Sequence, residues 1–557
     1  MRRLLSLLYI ALLSPALLAH EAPTTSPSLF EQQLAADQQS SLISADMATI
    51  YRAMAILEPQ SLPQRYSRES AAISKCATDA LVEAFAVINA NPELYGSYAK
   101  MFMARPQTQF YVESPQGYFR LFFDLTGLHA VPTADNDSSG IPDFIERAAN
   151  LADSVWSYEL DQLAHLKPPV DNGQGGSDQY DIYFQKIPYY GYTTPESPGP
   201  ESWNDYASHI VIHSTFSPGF PPNDDPEGDV MGALKVTIAH EFYHAVQFAY
   251  DVSEASFFME MSSTWMEEMA FPQVNDNYNY LPEFFNYPEV GLQAGDFHRY
   301  ASFVWPKYLE ERFGAIIMRD LWAKCRTTSA IVAWGAVIDS AGSSFEREFT
   351  RFVLWNYYTN SRSTGTHYES APDYPPVDVM AYHYDLPDSG NFSVTPPQPY
   401  ASNYIVFENL NGYDGIVGFD FTGLNATTWT LAYVVDYGDG NYFDSLLVPL
   451  AGGKAKVWIA DFRNVLRVTF IPAVAAHFGT EYNFTYHLHF RRPGDVDGDT
   501  QISISDAVFL INWIFAGGAT PYPSYIADVN CDGIGSISDA VHLISYIFAG
   551  GPPPCQY

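Results

Sequence analysis

The sequence predicts a multidomain protein in which an α+β domain is followed by a β-sandwich domain and a small α-helical module. The chain has 557 residues, too many for one ordinary hydrophobic core. Helical and strand-like patterns are mixed up to about residue 365, and short β-rich runs then replace them. Near the C-terminus, Ser503–Gly518 is repeated as Ser536–Gly551 with only three differences, which indicates a duplicated loop-and-helix unit.

The composition indicates folded domains and disfavours two classes of partner. Hydrophobic residues make up 47% of the chain and aromatic residues 15%, which is ample for packed cores. There are 28 basic and 64 acidic residues, so the formal net charge is −36. A field of this sign repels phosphate backbones and anionic lipids. Nucleic acid and membrane surfaces are therefore poor partners, and we set nucleic-acid binding aside.

The first 19 residues have the layout of a secretory signal peptide. Two arginines precede the apolar run Leu4–Leu13, a Ser-Pro pair interrupts it, and Ala19 provides a small residue for cleavage. The run is too short to cross a bilayer stably, and no later stretch is apolar over a sufficient length. We therefore expect a secreted protein, extracellular or attached to the cell surface, with no membrane span.

Four cysteines suit an exported protein in which disulfides form. They allow three pairings. We favour Cys531–Cys555, because both residues belong to the C-terminal module, and this choice leaves Cys76–Cys325 for the larger domain. Free thiols are the alternative.

Residues 20–61 are predicted to be a leader or pro-segment, in which residues 28–57 have a helical pattern. The α+β domain follows at residues 62–370, where a Pro-Gln-Gly turn between two alternating runs indicates a β-hairpin. Its predicted elements are a helix near Cys76–Leu94, hairpin strands Phe110–Ser114 and Tyr118–Leu125, a helix from Pro142 to about Leu166, strands Tyr180–Ile187 and Ser208–His213, and helices over about Met231–Tyr250 and Glu254–Met269.

Residues 371–492 are predicted to be a linker followed by the β-sandwich domain. The segment Ser370–Tyr400 is rich in proline, aspartate and tyrosine, which favours a linker. Short β-rich runs separated by Gly, Asn and Asp are typical of a β-sandwich. We interpret this domain as an accessory with a packing or binding role. The runs are Tyr404–Phe407, Trp429–Val435, Ala455–Ile459 and Leu466–Ile471.

A zinc-binding motif lies within the helix predicted near residue 240. His240, Glu241 and His244 form the pattern HExxH. Histidines at i and i+4 share one helix face, so both imidazoles can reach one Zn²⁺. The glutamate between them is then placed to take a proton from an attacking water. The alternative is a surface helix with incidental histidines.

The third zinc ligand is identified through a resemblance to known families. The sequence Glu-Met-Ser-Ser-Thr-Trp-Met-Glu, residues 260–267, resembles the second helix of the gluzincins, the thermolysin and aminopeptidase clan. More closely, residues 62–492 resemble a bacterial metalloprotease family with the helix motifs HExFHAxQ and EGTAxWMEE. This resemblance implies a zincin-like peptidase fold, in which Glu260 is a zinc ligand. It implies that Glu267, on the same helix face, lies behind the ligands and orients them without binding the metal. The Met-Ser-Ser after Glu260 departs from the family's Gly-Thr-Ala, and Glu267 as ligand is the alternative.

The same resemblance implies a residue that donates a hydrogen bond to the developing oxyanion. Clan members use a downstream Tyr or His, and His298–Trp305 resembles the corresponding segment of the bacterial family. We assign this catalytic role to Tyr300, with His298 as the alternative and a merely packed tyrosine as the non-functional interpretation. By fold analogy alone, Ser208–His213 is the edge strand that pairs with an extended peptide substrate.

Two acidic loops near the C-terminus have the ligand spacing of an EF-hand calcium site. Each places oxygen-bearing residues at positions 1, 3, 5, 9 and 12, with a backbone carbonyl at position 7. The predicted Ca²⁺ ligands of the first loop are Asp495, Asp497, Asp499, Gln501, Ser503 and Asp506. Those of the second loop are Asp528, Asn530, Asp532, Ile534, Ser536 and Asp539. A solvated acidic loop is the alternative.

Two such loops, each followed by one helix, resemble a type I dockerin. The resemblance implies that residues 493–557 form a small α-helical, EF-hand-like dockerin domain, which binds Ca²⁺ and a cohesin-like scaffold or cell-surface protein. Thr500 departs from the usual glycine at loop position 6, and Gly535 departs from the usual apolar residue at position 8. The pairs Ile504-Ser505 and Ile537-Ser538 occupy the positions that face cohesin in dockerins.

A third loop has similar spacing just before the helix predicted at Pro142. Its predicted Ca²⁺ ligands are Asp135, Asp137, Ser139, Ile141, Asp143 and Glu146. The alternative is a plain turn that caps the helix.

The leading hypothesis is a secreted zinc peptidase that hydrolyses a protein or peptide substrate and is tethered by its dockerin. Whether it is an endopeptidase or an aminopeptidase stays open. One alternative is a non-catalytic adhesion or scaffold protein. Another is a polysaccharide-degrading enzyme, since dockerins often accompany such enzymes, but that chemistry needs a carboxylate pair that cannot be singled out among 64 acids.

Overall fold

The computed structural model describes residues 28–66, 74–391, 395–424, 427–476 and 482–555. The predicted signal peptide, residues 1–19, lies outside the described residues, as do residues 20–27 of the predicted leader. Within the described ranges the chain is a multidomain α/β protein with three sheets and a helical C-terminal module. None of the helices in these ranges is long and apolar enough to cross a membrane.

The region up to residue 370 contains six strands and thirteen α-helices among its described residues. In chain order they are α1 (Leu29–Gln39), α2 (Ala45–Leu57), β1 (Ser74–Cys76), α3 (Thr78–Ala90), α4 (Pro92–Tyr95), β2 (Phe110–Glu113), β3 (Phe119–Phe123), α5 (Asp143–Trp156), β4 (Tyr180–Gln185), β5 (Tyr189–Pro198), β6 (Tyr206–His213), α6 (Asp229–Phe248), α7 (Ser256–Ala270), α8 (Leu281–Phe285), α9 (His298–Ala301), α10 (Val304–Phe313), α11 (Ile316–Cys325), α12 (Ala330–Ser340) and α13 (Phe345–Tyr357).

The described part of the predicted leader is helical, as expected, and is packed rather than isolated. The side chains of Ser28 and Ser44 accept hydrogen bonds from the first turns of α1 and α2, which satisfies helix-terminal N–H groups. Phe30, Leu34 and Tyr66 form a small buried cluster. Helix α2 also contacts α3, so the described part of the leader packs against the domain that follows.

The first sheet has the strand order β1-β5-β6-β4-β3-β2. The predicted hairpin is confirmed as β2 and β3, which pair antiparallel. The predicted long helix is divided: α5 ends at Trp156 and a π-helical segment, Ser157–Gln162, continues it. Helix α6 packs on β5 and β6 and also contacts α7, so the sheet supports the helix that carries the HExxH motif.

The prediction that Ser208–His213 is an edge strand was wrong. This segment belongs to β6, which lies between β5 and β4 inside the sheet. Its polar residues are buried and partnered: Ser208 Oγ lies 2.7 Å from the Tyr180 hydroxyl, and His209 Nδ1 lies 3.1 Å from Glu196 Oε1. Buried polar pairs therefore produced an alternation that resembles a half-exposed strand.

The second region is a β-sandwich, as predicted. Its strands are β7 (Ala381–His383), β8 (Asp388–Asn391), β9 (Ala401–Ser402), β10 (Ile405–Glu408), β11 (Ile416–Gly423), β12 (Trp429–Asp436), β13 (Tyr442–Leu447), β14 (Lys454–Ile459), β15 (Arg467–Val474) and β16 (Phe484–Arg491). One sheet has the order β13-β12-β15-β10-β7, with β9 paired to β15, and the other has the order β14-β11-β16-β8. Phe419 and Phe470 stack between the sheets with ring centroids 3.9 Å apart.

The predicted linker, Ser370–Tyr400, is wrong in part, because it contributes a strand to each sheet of the sandwich. Strand β7 pairs parallel with β10, and β8 pairs antiparallel with β16. Hydrogen bonding to strands that follow later in the chain orders this segment despite its prolines. The sandwich therefore begins before the β-rich runs.

The C-terminal module contains α14 (Ile504–Ala516) and α15 (Ile537–Ala549). The predicted disulfide Cys531–Cys555 is confirmed, with its Cα atoms 6.0 Å apart. The predicted disulfide Cys76–Cys325 is wrong: both residues are buried free thiols. Ile416 of β11 lies in the apolar cluster of this module, and the ring of Trp458 packs against it. The C-terminal module therefore packs against the sandwich.

Candidate functional site

Helix α6 brings the two motif histidines to one point. His240 and His244 are one helical turn apart and are almost completely buried. Their Nε2 atoms lie 3.2 Å apart. Both imidazoles therefore present the same nitrogen to one small volume, the arrangement the i, i+4 spacing predicts.

Helix α7 adds the Glu260 carboxylate to the same volume. Glu260 Oε2 lies 3.1 Å from His240 Nε2, and Glu260 Oε1 lies 3.7 Å from His244 Nε2. The side chain is fully buried, and Oε1 makes no hydrogen bond within the described part of the chain. A buried carboxylate oxygen without a donor is costly unless a cation neutralises it. The geometry thus leaves one acceptor available for a metal.

Hydrogen bonds behind the two rings hold them in this orientation. His240 Nδ1 donates to Glu267 Oε1 at 2.7 Å, and Lys75 Nζ donates to Glu267 Oε2 at 2.9 Å. His244 Nδ1 donates to Gln247 Oε1 at 2.8 Å. Such contacts turn each Nε2 toward the shared point, where it can face a metal. Glu267 therefore lies behind His240, on the opposite side from the point where the Nε2 atoms meet.

The remaining motif residue, Glu241, is held by two hydroxyl groups. Thr78 Oγ1 and Thr193 Oγ1 donate to Glu241 Oε2 at 3.1 and 2.9 Å. Strand β5 approaches so closely that a Cβ on Gly191 would lie 2.8 Å from Glu241 Cγ. Burial raises the pKa of Glu241 above its usual value, against the lowering effect of the two histidines. A carboxylate with a raised pKa is a stronger base.

Tyr300 and His298 are placed differently by α9. The Tyr300 ring is buried, with its centroid 6.4 Å from that of His240. His298 Nδ1 lies 3.0 Å from the backbone carbonyl of Glu283, and its ring packs on Phe284. Burial lowers the pKa of His298 to about 4. Of the two, Tyr300 lies beside the candidate centre, whereas His298 is engaged with α8.

A further residue at this centre, Cys76, was predicted from the sequence to form a disulfide with Cys325 instead. Cys76 Sγ lies 3.6 Å from His244 Nε2. Donor atoms of Cys76, His240, His244 and Glu260 all lie within 4.8 Å of one another, and all four residues are buried. Cys76 precedes His244 by 168 residues. No local spacing links it to the motif, so sequence reasoning missed it.

The donor set at this centre fits zinc. Two imidazole nitrogens, a carboxylate and a thiol are the ligand types that Zn²⁺ takes in proteins. The uncompensated Glu260 Oε1 and the hydrogen-bonded rings agree with that assignment. Calcium and magnesium are poorer candidates, because both prefer shells made of oxygen.

The two C-terminal loops gather their carboxylates as predicted. Carboxylate oxygens of Asp495, Asp497 and Asp506 lie within 4.8 Å of one another in the first loop, and those of Asp528, Asp532 and Asp539 do so in the second. The backbone N–H groups of Val496, Asp497 and Ser503 donate to Asp506, and the second loop repeats the pattern at Asp539.

The other predicted loop ligands lie around these carboxylates. Asp499 accepts a hydrogen bond from the backbone N–H of Gln501, and Asp532 accepts one from that of Ile534. Asn530 Oδ1 accepts one from the N–H of Asp532. Ser503 and Ser536 cap α14 and α15. Thr500 adopts φ 74°, so it takes the left-handed conformation that glycine usually supplies there.

The third predicted loop is assembled in part. Asp135, Asp137 and Asp143 bring carboxylate oxygens within 4.8 Å of one another, and Glu146 is not in that group. Ser139 Oγ lies 3.2 Å from the carbonyl of Ile141. The backbone at loop positions 4 and 6 has positive φ, as it has in both C-terminal loops. Calcium at this loop stays a prediction.

Comparison with known families identifies two segments. Residues 493–548 match the dockerin type I domain. Residues 229–439 match a family of unknown function, DUF6055, and this match begins at the first residue of α6 and runs into the sandwich. No curated protein matches the chain. A dockerin implies Ca²⁺ at the two C-terminal loops and a cohesin-bearing scaffold as partner. The chain therefore combines a domain of unknown function, which contains the HExxH helix, with a C-terminal type I dockerin domain.

Proposed function

We propose that the chain is a secreted zinc-dependent peptidase that is attached through its calcium-dependent dockerin to a cohesin-bearing scaffold. The observation that carries the proposal is the convergence of His240 Nε2, His244 Nε2 and the Glu260 carboxylate, with Glu241 on the same helix beside them. His240, His244 and Glu260 are the residues that would hold the zinc. The resemblance of α6 and α7 to the gluzincin helices favours peptide bonds as the substrate.

When bound, zinc would supply a Lewis acid that polarises a carbonyl group and makes water more acidic. The chain's own residues supply the rest. Glu241 accepts the proton of the attacking water on its carboxylate, whose pKa is raised by burial. Thr78 and Thr193 orient that carboxylate. Tyr300 lies beside His240, where its hydroxyl can donate to the oxyanion that develops on the substrate.

Replacing Glu241 by glutamine tests this proposal. The Glu241→Gln variant keeps the zinc ligands but loses the base, so we expect stoichiometric zinc and a turnover lower by ~10²–10⁴-fold. Metal analysis and digestion of casein or a labelled peptide measure the two quantities. Glu268→Gln is the matched control: Glu268 is a buried glutamate on α7 that bonds to Asn277, outside the metal group. Normal turnover by Glu241→Gln would contradict the mechanism.

Replacing Tyr300 by phenylalanine tests the oxyanion donor. Tyr300→Phe removes one hydroxyl without emptying the buried site, so zinc content should not change while turnover falls ~10²-fold. The matched control is Tyr374→Phe, because Tyr374 is fully buried and its hydroxyl makes no hydrogen bond within the described ranges. If both variants turn over substrate equally fast, Tyr300 is only a packed residue.

A second candidate function is a non-catalytic scaffold protein stabilised by zinc. The observation that favours it is the burial of four donors, Cys76 included, at the centre. Structural zinc sites have four protein ligands, whereas catalytic sites keep one position open. The digestion assay separates the two functions, because a structural site binds zinc without hydrolysing any peptide.

A further inference from the structure

Cys76 reaches the candidate zinc centre from the edge of the first sheet. It is the last residue of β1, a three-residue strand that pairs parallel with β5, and its register partner is Gly191. Gly191 is the residue whose missing side chain lets β5 lie against Glu241. Strand β1 is therefore the edge strand of the sheet on the side of the motif.

The segment around Cys76 is anchored to both functional parts of the centre. Its neighbour Lys75 is buried and donates to Glu267, the carboxylate behind His240, and to Asp276. Thr78 donates to Glu241 through its hydroxyl, and its backbone N–H donates to Cys76 Sγ at 3.3 Å. A segment held at three points by buried polar contacts is a fixed part of the site.

The position of the thiol has a direct consequence for coordination. Cys76 Sγ, the two Nε2 atoms and a Glu260 oxygen make four donors around one point. Four protein donors complete the tetrahedral shell of zinc. A hydrolytic centre needs one of those positions for water or for the substrate carbonyl. With Cys76 in place, that position is taken.

We propose that the Cys76 thiolate is the fourth zinc ligand and that it closes the centre, so the peptidase folds in a latent form; the latency rests on the function proposed above. Binding zinc converts the thiol to a thiolate and releases its proton to solvent. Activation reverses this step: the Zn–S bond breaks, the thiolate takes up a proton, and the fourth position becomes available. All four donors are buried, so the closed centre offers no open position to water or to a substrate carbonyl.

The coordination is tested on the zinc-loaded full chain by X-ray absorption at the zinc edge. We expect a Zn–S distance of about 2.3 Å in the wild type. The signal should persist in Cys325→Ser, which changes the other buried free cysteine, and should vanish in Cys76→Ser. With cobalt in place of zinc, the thiolate-to-metal charge-transfer absorption should likewise be present in the wild type and in Cys325→Ser and absent in Cys76→Ser. A wild-type spectrum without sulfur overturns the proposal.

The latency is tested by peptide hydrolysis with the same proteins and with Cys76→Ala. Both Cys76 variants should turn over substrate at least ~10-fold faster than the wild type and Cys325→Ser, since they open the closed state. Zinc content and thermal unfolding establish that each variant is folded and loaded. Equal turnover in all four proteins overturns the latency. A Zn–S signal with no hydrolysis by any loaded variant overturns the latency and the peptidase function together, and leaves Cys76 as a ligand of a structural zinc.

Discussion

Glu260→Ala should lose zinc during dialysis against a chelator that leaves the wild-type protein loaded. Glu260 is fully buried, and its carboxylate lies against both Nε2 atoms. Removing it deletes a charged donor and leaves the remaining ligands with an incomplete shell. The loss of affinity should exceed the ~10–100-fold that the loss of an outer hydrogen-bond partner typically costs. Metal analysis after dialysis measures it, and peptidase activity should disappear with the metal.

Glu267→Ala is the matched variant for this experiment. Glu267 lies on the same helix and is equally buried, but its carboxylate bonds to His240 Nδ1. We expect it to keep zinc with affinity lower by ~10–100-fold. Because Glu267 also neutralises buried Lys75, its removal should lower thermal stability as well. The reverse result, with Glu260→Ala loaded and Glu267→Ala empty, would show that Glu267 is the ligand.

Removing calcium with EGTA should abolish binding of the full chain to a type I cohesin. Each C-terminal loop holds three carboxylates within 4.8 Å of one another. Without Ca²⁺ their mutual repulsion should loosen the loops, and with them the ends of α14 and α15. Calorimetry or surface plasmon resonance with and without Ca²⁺ measures the effect. Zinc bound at the HExxH centre should survive calcium-selective chelation.

Single and double replacements refine this prediction. The two repeats present Ile504-Ser505 and Ile537-Ser538 at equivalent positions, and both isoleucines are exposed. We therefore expect either repeat to engage the partner, so Asp495→Ala and Asp528→Ala should each be tolerated while the double variant loses binding. Asp414→Ala, at an exposed position outside both loops, is the control. Binding that is equally tight with and without Ca²⁺ would contradict the prediction.

The contact between the dockerin and the sandwich has a further consequence for these measurements. Ile416 is fully buried in the apolar cluster of the C-terminal module, and Trp458 packs beside it. An isolated fragment of residues 493–557 would expose the surface that these residues cover. The full chain is therefore the proper material for the binding experiments.

What the sequence determined by itself lies within single elements. The face shared by His240 and His244 follows from helical periodicity, and the convergence of the calcium-loop carboxylates follows from spacing within each short loop. The hairpin and the Cys531–Cys555 disulfide are also local. Each of these predictions involves residues joined by a short stretch of chain, whose geometry that stretch alone constrains.

Only the tertiary structure decided the contacts between distant segments. Cys76 was predicted to pair with Cys325, and packing places it instead at the centre formed by His240, His244 and Glu260. Strand β6 was predicted at an edge and lies inside the sheet, because buried partners satisfy its polar residues. Side chains far apart in sequence meet where strand order and helix packing bring them together, and no periodicity in the chain encodes that order.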